Sequence, residues 1–236
     1  MMRNQYNQDV YKNRYEGTAY AARVISKLVL SQLPPIRSCA DVGCGVGAWL
    51  SAFVEFGVKD IQGFDGEWVD ESLLAIPPEC FKAVDLENPL VWPRRFDLVV
   101  SLEVAEHISE ANAGQFVDSL CNLSDFVLFS AAIPLQGGVG HVNEQPPQYW
   151  AKLFRERGYV QFDTIRHKVW DDEQIPSWYR QNIFLYLRSE RTREIVVPQE
   201  PGFSGAHLVH PSNYEEKVLK LYQSRREISE LKRSSL

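Results

Sequence analysis

The sequence predicts a three-layer α/β sandwich on a mostly parallel seven-stranded sheet whose last strand runs antiparallel. Three observations carry this. Short apolar runs alternate with amphipathic segments from residue 18 to residue 134, which predicts parallel strands joined by right-handed crossovers. Beyond that the rhythm changes to one helical segment and two strand-like runs, a pattern that suits antiparallel closure. The 236 residues, 44% of them hydrophobic, suffice for one well-cored domain and a tail but not for two domains of usual size.

Taken in order, residues 18–33 repeat apolar side chains at Ala22, Ile25, Leu28 and Val29 behind a capping Thr18, and Pro34 and Pro35 stop them, which predicts a helix. "SCADV" (38–42) reads as a buried strand, and "GAWLSAFVEFG" as a helix closed by Gly57. "DIQGFD" is a second strand, "SLLAI" a short helical turn and "FKAVDL" a third strand. "FDLVVSL" is the fourth, followed by a helix over "EVAEHISEANAGQFVDSLCNLS" and a fifth strand, "DFVLFSAAIP". "PPQYWAKLFRERG" reads as a helix, and "YVQFDTIRHKVW" and "NIFLYLRS" as strands joined by "DDEQIPSWYRQ". Residues 191–212 are irregular, and 213–233 form a charged helix with a thin apolar stripe. The division expected is an N-terminal segment over 1–17, a domain over 18–190 and a linker with a C-terminal helix over 191–236.

Composition excludes several classes. A net charge of -6 argues against a broad basic face for nucleic acid. Four cysteines at 39, 44, 80 and 121 have neither metal-ligand nor disulfide-framework spacing, so a reduced cytoplasmic chain is expected. The opening residues lack the apolar run of a signal peptide, and no stretch has the length of a membrane span.

The chemistry begins at "DVGCGVGAWL" (41–50), where three glycines lie between a strand and a helix. Such a turn lets a ligand approach the backbone and presents a helix N-terminus to an anionic group. The spacing Gly43, Gly45, Ala48 also satisfies the loose dinucleotide pattern, so an NAD-dependent oxidoreductase is a rival reading. Asp41 weighs against it, because a carboxylate there would repel a pyrophosphate but meet a cationic amine or order the loop. Asp65, ending the second strand, can accept both hydroxyls of a ribose. Asp85, ending the third, can meet an adenine edge or cap a turn.

In this order, "DVGCGVGAWL", "GFD", "AVDL" and "FDLVVSLEVAEHI" resemble the first four motifs of the class I S-adenosylmethionine-dependent methyltransferases, over residues 15–188. The resemblance implies a Rossmann-like fold and S-adenosylmethionine (SAM) as cofactor. It implies that Gly43, Gly45 and Gly47, with Cys44 between them, line the methionine part beside Asp41. Asp65 would hold the ribose, Asp85 and Leu86 border the adenine, and Glu103 belong to the same lining. Tyr15 or Gly17, ahead of the first helix, would close over the cofactor.

Methyl transfer needs in-line geometry and, for a hydroxyl acceptor, a proton acceptor. Read as a helix, "EVAEH" gathers Glu103, Glu106 and His107 on one side of a turn, and His141 completes the set across the cleft. Glu106, His107 and His141 are the catalytic candidates. Together with Glu103 they are also suitable ligands for Mg or Mn, as in the ExxEH-containing methyltransferases they resemble. Trp178, Tyr179 and Arg180 offer aromatic faces and a cationic fork for a sugar or an acidic acceptor. The reading is methyl transfer to a hydroxyl of a small molecule or sugar, with the C-terminal helix available for a homodimer. A metal-dependent RNA 2′-O-methyltransferase and a non-catalytic cofactor-binding protein stay as alternatives.

Overall fold

The computed structural model describes residues 8–196 and 208–234. Its seven strands are β1 (Ser38–Val42), β2 (Asp60–Asp65), β3 (Phe81–Ala83), β4 (Leu98–Leu102), β5 (Phe126–Ser130), β6 (Tyr159–Phe162) and β7 (Phe184–Arg188). They lie in one sheet in the order β3-β2-β1-β4-β5-β7-β6. Pairing is parallel from β3 through β5, whereas β7 runs antiparallel to both β5 and β6. The last strand is therefore the antiparallel one, inserted between β5 and β6 and not added at the edge.

Strand side chains alternate between faces, and the apolar residues follow that period. Leu98 and Val100 of β4, Leu128 of β5 and Leu185 and Leu187 of β7 pack with α1 (Gln8–Leu30) and α2 (Ala48–Glu55). Val99, Val127, Phe129, Phe184 and Tyr186 face the other way, against α3 (Ala113–Leu123) and α4 (Pro147–Glu156). Two short helices, α5 (Arg166–Val169) and α6 (Ser177–Asn182), join the first face through Val169 and Tyr179. Among the described residues no helix is long and apolar enough to cross a membrane.

Four segments depart from the sequence expectation, for local reasons. α1 begins at Gln8, so Thr18 lies inside it, and residues 15 and 17 belong to the helix and not to a segment before it. Gly17 weakens a helix but does not break one, and the first proline comes only at 34. The predicted helix over 103–124 is instead two 3-10 turns, Ala105–His107 and Glu110–Asn112, ahead of α3. Glu87 causes the break: its carboxylate accepts from the Ser109 amide (2.8 Å), the Ser109 hydroxyl (2.8 Å) and the Asn112 amide (2.7 Å). Side-chain bonds of this kind compete with helical ones.

The strand predicted over 159–170 ends at Phe162, because Arg166 is fully buried in a bidentate pair with Asp163 and donates to the Gln181 carbonyl at 3.0 Å. β3 stops at Ala83, and Asp85 closes the turn beyond it by accepting from the Glu87 amide (3.0 Å) and Asn88 (2.9 Å). At the C-terminus α7 (Pro211–Ser234) leaves Leu219, Leu221, Tyr222, Ile228 and Leu231 exposed. Within the expected linker, residues 197–207 lie outside the described residues.

Candidate active site

The strand order reverses between β1 and β4, and ligands of open parallel sheets bind at such a switch point, outside the carboxyl ends of the strands. The three glycines there differ in their reason for being bare. A Cβ on Gly43 (φ 87) would lie 2.3 Å from Val104 Cγ2, and one on Gly47 (φ 87) 2.9 Å from Ile76 Cγ1. A Cβ on Gly45 (φ 52) would meet nothing within 4 Å. Packing explains the first and third glycines; the second faces open space. Gly43→Ala is expected to cost about 2–5 kcal/mol, combining left-handed strain with overpacking, whereas Gly45→Ala should cost only the strain of about 1–2 kcal/mol. Thermal melting of both variants checks this.

Asp41 and Asp65 frame that space from the ends of β1 and β2. Asp41 is 2% exposed and its Oδ2 is buried without a protein partner. Burial, then the charge of Asp65, holds its carboxyl well above the usual range. Asp65 Oδ2 accepts the Gly45 amide at 2.7 Å and Oδ1 the Gly66 amide at 2.7 Å. Burial raises its pKa, while these amides and the Trp68 indole act against the rise. The indole lies over Gly66, where a built Cβ would be 2.3 Å from Cη2. A ribose reaching Asp65 thus competes with an exposed, movable indole and leaves the backbone donors in place. An orphaned buried carboxylate oxygen beside open backbone fits an ammonium-bearing nucleoside.

Other cofactor candidates have structural partners. Cys44 is buried, with Sγ 2.8 Å from the position of a Cβ on Gly63, so it fills the gap that glycine leaves. Leu86 is buried in the core shared with α3, and the Asp85 carboxylate is engaged in its turn.

On the acceptor side, the structure brings together Glu106, His107 and His141, each offering a ligand atom within 4.8 Å of the others'. Glu106 Oε1 is 3.9 Å from His141 Nε2, and the two imidazoles meet edge to face at 4.9 Å. His107 Nδ1 lies 3.1 Å from the Gly140 carbonyl and His141 Nδ1 2.8 Å from Glu144 Oε1. A carbonyl or carboxylate partner places the proton on Nδ1, which makes Nε2 the basic nitrogen of each neutral ring. Glu106 is buried with Oε2 unpartnered, and burial followed by the charge of Glu103 pushes its carboxyl well above the usual range.

Glu103 does not share a helical face with these groups. It sits at φ 56, and its carboxylate accepts from Gln136 at 2.8 Å and Asn182 at 3.1 Å. Burial raises its pKa against the donors Asn182, Ser130 and Gln136. Of the expected acceptor-binding residues, Tyr179 packs into the core edge-on to Trp49 at 5.2 Å, and its hydroxyl is pushed up to about 12 by burial and by Glu103. Arg180 is 6% exposed and donates to the Trp170 carbonyl at 2.8 Å. Trp178 alone of the three is exposed, at 42%.

Sequence reasoning missed Glu144, which accepts from the Leu135 amide at 2.8 Å and the Gly137 amide at 2.6 Å besides holding His141. The H-x-x-E spacing of "HVNE" was the signal for it. Gln136 and Asn182 were also missed, and their role depends on a meeting of distant loops.

The family comparison addresses the same region. A methyltransferase-domain family matches residues 13–124, the stretch from α1 through α3 that holds Asp41, the glycine loop, Asp65 and Glu106. Over those residues the chain is similar to a methyltransferase domain. Solved methyltransferase structures share this fold at low identity. Magnesium protoporphyrin IX methyltransferase from Synechocystis PCC 6803, with bound S-adenosylhomocysteine (SAH), is 19% identical over 79% of this chain and 90% of that one, with a TM-score of 0.55. The sugar N-methyltransferase KedS8 from Streptoalloteichus sp. ATCC 53650 is 16% identical over 78% and 93%, with a TM-score of 0.58. CalS10, an amino pentose methyltransferase from Micromonospora echinaspora, is 15% identical over 78% and 98%, with a TM-score of 0.54. No curated protein sequence matches this chain.

Proposed function

We propose that the protein transfers a methyl group from SAM to a hydroxyl of a small molecule or sugar, with Glu106 and His141 handling the acceptor's proton. The observation that carries this is the pairing of an orphaned carboxylate, Asp41, with open backbone at Gly45 on one side of the switch point and a built acid-imidazole cluster on the other. Asp41 would hold the methionine ammonium, Gly45 would lie against the nucleoside, and Asp65 would accept the ribose hydroxyls. When bound, SAM supplies the electrophilic methyl. A hydroxyl nucleophile then needs a base, and a carboxylate of raised proton affinity beside a tautomer-fixed imidazole supplies one. Solved relatives of this fold that act on a sugar and on an amino pentose support the acceptor class. Trp178 offers that acceptor an aromatic face.

A divalent ion is the second element of the proposal. One carboxylate and two imidazoles within 4.8 Å suit Mg or Mn, and Glu144 behind His141 is the outer partner such a histidine ligand requires. A bound ion would polarise the acceptor oxygen as a Lewis acid. Four unpaired cysteines support a cytoplasmic setting, and the exposed apolar residues of α7 support a homodimer contact.

Calorimetry should show SAH binding and no NAD binding. Incubation with methyl-labelled SAM and a panel of sugars and hydroxylated small molecules should give O-linked methyl product. Activity lost in a chelator and restored by Mg or Mn supports the ion; activity indifferent to the chelator removes it. Binding of NAD in place of SAH would overturn the whole reading.

A further inference from the structure

Glu103 holds a left-handed backbone conformation that few non-glycine residues adopt, and strain of that kind persists only where surroundings enforce it. The enforcing groups form a chain of side-chain amides. Asn182 donates to Glu103 Oε1 and, at 2.9 Å, to Gln136 Oε1, while Gln136 donates to Glu103 Oε2. Gln181 donates to Asn182 Oδ1 at 2.8 Å. Its own Oε1 then accepts the His210 amide at 2.8 Å and the Asn213 side chain at 2.9 Å. Gln181 and Asn182 are almost wholly buried, as is His210, whose Nε2 lies 2.9 Å from the Trp170 carbonyl. The chain runs from the switch point to the first turn of α7.

We propose that Gln181 is a positioning residue through which the His210–Asn213 segment holds the Glu103 carboxylate against the sulfonium side of the cofactor. The inference rests on the proposed function, which places the nucleoside over Gly45. Glu103 adjoins Val104, the residue against which Gly43 packs, and its charge acts on Glu106, so it neighbours both the glycine loop and the Glu106 cluster. Every amide in the chain has one orientation that satisfies its neighbours, because carboxylate oxygens only accept. Gln136 and Asn182 must both present nitrogen to Glu103, which leaves Asn182 Oδ1 facing Gln181, whose Oε1 is thereby turned to α7. A carboxylate fixed in this way in a poorly solvated site favours the cationic sulfonium of SAM over neutral SAH.

The test measures affinities for SAM and for SAH by calorimetry on full-length protein, so it needs no acceptor. Gln181→Glu keeps the one oxygen that accepts from the His210 amide and from Asn213 but puts an oxygen where Asn182 Oδ1 needs a donor. Asn213→Ala removes the helix end of the chain at a partly exposed position that tolerates truncation. The expected result is that the preference for SAM over SAH falls by about tenfold in Gln181→Glu and by a smaller factor in Asn213→Ala. Gln223→Ala, further along α7 at an exposed position, should leave it unchanged. An unchanged preference in folded Gln181→Glu, or equal losses of both affinities, would overturn the proposal. Wild-type protein that binds neither nucleoside would instead overturn the proposed function, and this inference with it.

Discussion

Asp41→Asn is expected to make the unliganded protein more heat-stable while abolishing useful affinity for the cofactor. The wild-type carboxylate is buried with one oxygen unpartnered, so folding strips it of water and returns too little. Because its folded pKa is raised, the folded chain binds more protons than the unfolded chain between the ordinary aspartate range and the raised value. Stability is therefore lost as pH rises through that window, and the deficit is complete above it. Below the ordinary range both forms are protonated and the substitution should be neutral. Each pH unit within that window costs the wild type about 1.4 kcal/mol that a neutral amide does not incur, so the asparagine variant should melt several degrees higher near neutral pH. Loss of one partner of a buried charge pair costs about 2–5 kcal/mol, which weakens SAM binding at least about 30-fold. Calorimetric melts at several pH values and SAM titrations read both effects. A variant that melts lower and binds equally well would remove Asp41 from the site.

This opposition between stability and binding was half-legible in the sequence. β1 and β2 coincide with their predicted ranges because continuous apolar runs bounded by charge and glycine leave few other structures. The position of Asp41 before the glycines was likewise readable, since it follows from adjacency along the chain. Its unpartnered oxygen was not readable, because partnership depends on what β2 and β4 bring alongside.

The same limit explains the acceptor side. Glu103, Glu106 and His107 have helical spacing, yet Glu87 binds Ser109 and Asn112 from another loop and prevents the helix. The cluster forms all the same, because a 3-10 turn keeps Glu106 and His107 adjacent while Glu103 is turned toward Asn182. Tyr179 and Arg180 looked like recognition residues by type. Tyr179 is buried because α6 packs on the first face of the sheet, against Trp49 of α2, and Arg180 because it reaches the Trp170 carbonyl, contacts that no local pattern announces.

Glu106→Gln should separate chemistry from binding most sharply. The amide has nearly the shape of the carboxylate, so packing around Ala105 and the Val142 and Asn143 amides bound to the Glu106 carbonyl should persist. It also removes the like-charge pressure that Glu103 exerts on Glu106, so stability should hold or rise. SAH affinity should stay close to that of wild type, because Glu106 belongs to the cluster with His107 and His141 and not to the glycine loop. Methyl transfer to the acceptor found in the panel should fall by about 10²–10⁴-fold, the usual contribution of a positioned proton acceptor. Glu144→Gln acts only through the orientation and basicity of His141, and should cost about 10–100-fold. Initial rates with saturating SAM measure both. The ordering is the informative part: a deeper loss from Glu144→Gln than from Glu106→Gln would move the base from the carboxylate to the imidazole. Rates within a few-fold of wild type in both variants would mean that positioning alone carries the transfer.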